Sequence, residues 1–60
     1  MNTLDITVEN NNVVSRFNGE GEGTIITNCT SDEVISNIIK AHNESEAMNP
    51  SVRNATARRV

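Results

Sequence analysis

Thr3-Leu4-Asp5-Ile6-Thr7-Val8-Glu9-Asn10-Asn11-Asn12-Val13-Val14-Ser15-Arg16-Phe17-Asn18-Gly19 is the stretch on which the fold turns. Leu4, Ile6 and Val8 alternate with Asp5, Thr7 and Glu9, the period-two pattern of a strand with one buried face and one wet face, so residues 3–9 read as a strand. Asparagine tolerates the positive φ of tight turns, so Asn10 to Asn12 predict a hairpin and Val13 to Asn18 the returning strand. Asn18-Gly19 is a second turn signal. The glycines at 19, 21 and 23 extend it into a flexible loop before Thr24-Ile25-Ile26-Thr27 resumes as a third strand.

Downstream the period changes. Thr30, with Glu33 three residues on, reads as a capping box, in which each side chain satisfies a free amide of the first helical turn. Val34, Ile35, Ile38, Ile39 and His42 follow at spacings of three and four and share one stripe, which predicts a helix from Ser31 to Asn43 across one sheet face. Beyond Asn43 the apolar periodicity fades, and Asn49-Pro50 ends whatever helix remains.

The fold expected is therefore α+β: a three-stranded antiparallel β-meander packed on one α-helix, with a flexible basic C-terminal tail. Residues 1–48 form the βββα domain, and residues 49–60 are the tail or a short second helix opening at Pro50. The expected core is Leu4, Ile6, Val8, Val13, Phe17 and Ile26 from the sheet, with Val34, Ile35, Ile38 and Ile39 from the helix.

Sixty residues with 35% hydrophobic content give a marginal core, and a lone Cys29 and a lone His42 offer neither a disulfide nor a zinc site within one chain. A three-stranded sheet also leaves two open edges with few lysines or prolines to guard them, so pairing between protomers into a homodimer is expected. No charged-then-apolar leader opens the sequence and no apolar run approaches ~18 residues, so the expectation is a cytoplasmic protein with no membrane partner.

The net charge of −3 is unevenly spread: all eight acids lie in residues 1–46 against Arg16 and Lys40, whereas residues 47–60 carry Arg53, Arg58 and Arg59 and no acid. Such asymmetry points to an interaction segment. Arg53, Arg58, Arg59, Glu20 and Glu22 are the candidate partner-binding residues. Catalytic, metal and cofactor residues are not assigned. The Gly19-to-Gly23 loop carries two glutamates that would repel a phosphate, its spacing matches no calcium loop, and about three helical turns separate Cys29 from the only histidine.

Over residues 3–42 the order of a hairpin, a third strand and a Thr-Ser-Asp-Glu helix start resembles the strand and helix pattern of HicB-type antitoxins. In size and acidity the chain is also similar to phage accessory proteins. These features lead to a small non-enzymatic interaction protein, a regulator or inhibitor that binds another protein through its acidic face, a sheet edge or the tail. The alternative is an antitoxin-like or transcriptional regulator that binds nucleic acid with paired arginine tails on a dimeric body.

Overall fold

Two turns set the sheet, and both are built as their asparagines dictate. In the computed structural model, which describes Met1–Val60, Asn10 and Asn11 (φ 50° and 63°) join strand β1 (Thr3–Glu9) to β2 (Asn12–Phe17). Asn18 and Gly19 (φ 56° and 72°) join β2 to β3 (Glu20–Thr27). Positive φ at both central positions gives the hairpin turn whose twist matches that of the strands. Asn18 also clamps the sheet end: its backbone N–H donates to Thr3 O at 2.7 Å, and its Oδ1 accepts from the Thr3 N–H at 2.9 Å.

The flexible loop expected at Glu20–Gly23 is instead the first half of β3. Gly21 and Gly23, both at φ 86°, let the strand bulge without leaving the ladder where the register against β2 shifts between Ser15 and Phe17, and a second shift, between Val13 and Val14, leaves Ile26 as the extra residue. At Gly23 a Cβ would stand 2.6 Å from Val14 Cγ1, so only glycine lets the bulge lie over Val14. That cover explains why Val14, on the face away from the helix, is buried.

Helix α1 spans Asp32–Met48, five residues beyond the expected end. Its cap is Ser31, not Thr30: the Ser31 Oγ accepts from the Val34 N–H at 3.2 Å, and Asp32 and Glu33 place negative charge at the helix N-terminus. The helix continues past Asn43 because its inward stripe continues with different chemistry. Ile35, Ile38 and Ile39 pack on Ile6, Val13 and Leu4, whereas His42, Asn43 and Glu46, further along the same helix, make hydrogen bonds to the chain beyond. Asn49 closes it by donating to Ser45 O at 2.9 Å, and Pro50 follows.

The flexible tail is corrected to a fourth strand. β4 (Thr56–Arg59) runs parallel to β1, pairing Leu4 with Ala57 and Ile6 with Arg59, so the sheet is mixed and ordered β3-β2-β1-β4. Helix α1 thus carries the chain from one edge of the sheet to the other. Thr56 donates to Asn2 O and Val60 to Ile6 O, so the alternation of a parallel ladder turns the backbone of Ala57 outwards. Asn43 meets it there: its Nδ2 donates to Ala57 O at 3.1 Å, and its Oδ1 accepts from Ala57 N–H at 2.8 Å. His42 Nε2 lies 2.8 Å from Ala55 O; a carbonyl can only accept, so Nε2 carries the hydrogen.

The core is smaller than expected and partly different. Ile6, Val13 and Ile35 are its fully buried centre, with Leu4, Ile38 and Ile39 against them. Ala55 and Ala57 are buried too, because only small side chains let the segment after the helix tuck beneath it. Val8 and Ile26, expected inside, are exposed. Asp5, expected on a wet face, is 7% exposed, since it sits mid-sheet between β2 and β4 beneath Arg58.

Asn43→Ala is expected to lower unfolding stability by about 1–3 kcal/mol, the cost of leaving a buried backbone donor and acceptor unpaired. A urea titration with amide exchange checks this: the midpoint falls and the β4 amides lose protection, whereas an unchanged midpoint would show that water replaces the side chain.

Candidate functional site

The five residues singled out from the sequence do not converge. Glu20 and Glu22 open β3 at one edge of the sheet, while Arg58 and Arg59 lie on β4 at the other, with β2 and β1 between. Because side chains alternate along a strand, the two arginines diverge. Arg58 Nε donates to Asp5 Oδ1 at 2.8 Å on the face away from the helix, and Arg59 Nη1 donates to Asp32 Oδ1 at 2.8 Å at the helix start. Arg53 sits in the connection after α1 with its guanidinium 4.5 Å from the centroid of the Phe17 ring, a cation–π geometry. Each arginine of the tail therefore has a partner within the chain.

The loop that carries Arg53 is held at several points. Glu46 accepts from the Ser51 N–H at 2.8 Å and the Ser51 hydroxyl at 2.7 Å, which holds its carboxyl below the usual range. Asn2 Nδ2 donates to Arg53 O at 2.6 Å, and Asn54 takes a positive φ of 46°. Arg53, His42, Glu46 and Ser51 rim an open groove of about 300 Å³ floored by Leu4 and Phe17. Cys29 and His42 are held apart by the helix: Cys29 lies near Ser31 just before its start, and His42, in its second half, bonds Ala55 beyond its end.

The face of the sheet away from the helix carries a second set of paired charges. Arg16 reaches across to Glu9 with two guanidinium nitrogens, its Nη2 at 2.9 Å from Oε1, and it also donates through Nε to Gly21 O at 3.2 Å. Arg16 thus ties β1 to the bulged half of β3. Thr7 Oγ1 adds a bond to Glu9 Oε2 at 2.7 Å. The Arg16 guanidinium first, and the Thr7 hydroxyl second, hold the Glu9 carboxyl down at about 2. Asp5 is also lowered, chiefly by its bond to Arg58.

What remains without an internal partner is the β3 edge. Its side chains are exposed almost throughout, with Ile25 at 64% and Ile26 at 42%. The first half of the strand carries two guards against pairing, the charges of Glu20 and Glu22 and the glycine bulge; Thr24-Ile25-Ile26-Thr27 carries no charge and no proline, its one irregularity being the register shift at Ile26. The opposite edge is different, because Asn43 already occupies the outward N–H and C=O of Ala57. The exposure of Ile25 and Ile26 is not readable from the sequence, because a β-branched apolar run reads equally well as a core strand. The signal that marks them is the strand order, since the last strand of a meander has no neighbour on its far side.

No helix is long and apolar enough to cross a membrane. Comparison with protein-family models, with curated proteins and with solved structures returned no match. The likeness to HicB-type antitoxins thus stands on element order and the Thr30-to-Glu33 helix start alone.

Glu9 and Asp5 have folded-state carboxyls below their ordinary values, so the stability they contribute is present at neutral pH and is lost as the pH falls from about 4.5 towards about 2. Urea midpoints measured across that window should decline, and Arg16→Gln should flatten the decline while lowering the neutral-pH midpoint. A variant whose pH profile overlays that of the parent chain would place the acid sensitivity elsewhere.

Proposed function

We propose that this protein is a small non-enzymatic interaction protein, a regulator or inhibitor in the manner of phage accessory proteins, that takes an extended segment of another protein onto the β3 edge of its sheet. Main-chain hydrogen bonds supply the affinity of such strand addition, and alternate side chains supply its specificity. The observation that carries this reading is the asymmetry of the two edges. On one, the Asn43 side chain occupies the outward N–H and C=O of Ala57, and the other presents an uncharged β-branched run with two exposed isoleucines.

The other two surfaces have less to offer a partner. The tail arginines are engaged with Phe17, Asp5 and Asp32, and the acids Asp5, Glu9 and Glu46 are satisfied by Arg58, Arg16 and Ser51. Glu20 and Glu22 flank the open run and favour a partner strand with basic residues at its matching end. The exposed free thiol of Cys29 suits the reducing cytoplasm, where we place this activity.

Immobilised full chain, compared with Ile25→Lys and with the pair Arg53→Gln/Arg59→Gln, tests the reading in nuclease-treated lysate. The lysine variant is expected to lose at least about tenfold of the captured protein, as a charge on an edge strand opposes pairing, and the arginine variant to retain it. Capture that is nuclease-sensitive, falls steeply with salt and depends on the arginines would instead favour nucleic-acid binding.

A further inference from the structure

We infer that the groove between the second half of α1 and the sheet binds a small organic acid, a monocarboxylate with an apolar body, whose carboxylate is taken by Arg53 and whose body rests on Leu4 and Phe17. This is a second site, on the helix side of the sheet, and it goes beyond strand addition at the β3 edge.

The floor follows from the register. Leu4 and Phe17 are paired across β1 and β2, so their side chains stand next to each other on the face that carries α1. Walls rise on two sides of that floor, with His42 and Glu46 from the helix and Ser51 and Arg53 from the connection after it. The resulting volume of about 300 Å³ is at the lower end of the range of small-molecule sites, which suits a single ring or a branched chain.

The charge of the occupant follows from Arg53. Arg16 pairs with Glu9, Arg58 with Asp5 and Arg59 with Asp32, which leaves Arg53 as the one arginine without a carboxylate. Its guanidinium lies 4.5 Å from the Phe17 ring centroid, a contact that uses the face of the group and leaves its N–H edge open. Asn2 Nδ2 holds the Arg53 carbonyl at 2.6 Å, so backbone and guanidinium are both positioned before anything binds. The other polar groups of the rim are already committed: Glu46 accepts from the Ser51 N–H and hydroxyl, and His42 Nε2 donates to Ala55 O. A planar fork of unspent donors beside an apolar floor matches a carboxylate, whose two oxygens accept in parallel. The surroundings limit the occupant to one negative charge. Glu46 on the rim and Glu20, paired opposite Phe17, are acidic in a chain of net charge −3, so a doubly charged phosphate is repelled.

Titration of the isotope-labelled full chain with phenylacetate to about 20 mM, followed by amide chemical shifts, tests this, since a small acid on an open groove binds in the millimolar range. Saturable shifts are expected at Phe17 and across residues 51–55. Phenylacetamide, which keeps the ring and loses the charge, and acetate, which keeps the charge and loses the ring, should each bind at least about tenfold more weakly. Inorganic phosphate at the same concentration should not displace phenylacetate. Arg53→Gln should weaken phenylacetate about tenfold, whereas Arg59→Gln, which removes a guanidinium already paired with Asp32, should leave it unchanged. Phenylacetamide or acetate bound as tightly as phenylacetate, displacement by phosphate, an Arg53→Gln chain that binds as the parent does, or no saturable shift would overturn the proposal. None of these outcomes touches strand addition at β3, which is read through Ile25.

Discussion

The two hydrogen bonds between the Asn43 side chain and the Ala57 backbone are the constraint on which the rest of the structure depends. A carboxamide presents an N–H donor and a C=O acceptor side by side, so at this position it stands in for the neighbouring strand that β4 lacks. Holding Ala57 requires the helix to persist through residue 43. It also requires small side chains at Ala55 and Ala57 so that the segment fits beneath the helix, and it leaves β4 facing β1 on its other side. Helix length, strand count and the difference between the sheet edges all trace to this contact.

Much of the fold was legible because its signals are local. The alternation from Leu4 to Val8, the positive-φ asparagines and the isoleucine stripe each act within a few residues, and each produced the element it announces. What escaped has its cause far away in sequence. Thr56-Ala57-Arg58-Arg59 has neither alternating hydrophobicity nor strong β propensity, and it becomes a strand because Asn43 and the β1 backbone, distant in the chain, supply its hydrogen bonds. His42 and Asn43 look like a fading amphipathic pattern until their targets are known. The choice of Ser31 over Thr30 as cap is a one-residue shift that spacing does not resolve.

The candidate site was half legible for a related reason. Charge asymmetry pointed to the basic tail as an interaction segment, whereas Arg58 and Arg59 pair with Asp5 and Asp32 of the same chain. Composition counts charges without saying which are free. The apolar β3 run was visible throughout, yet its exposure depends on strand order, which only the assembled sheet reveals.

The parallel pairing of β1 with β4 joins the two ends of the chain, as the bond between Arg58 and Asp5, 53 residues apart, makes plain. Contacts of such range form late, because the intervening loop must close first. During synthesis β4 emerges after the meander, so the nascent meander has β1 as a second unpaired edge beside β3. Loss of Thr56–Arg59 would recreate that state. The C-terminal strand, which looks from the sequence like a dispensable appendage, is thus what covers the β1 side of the meander.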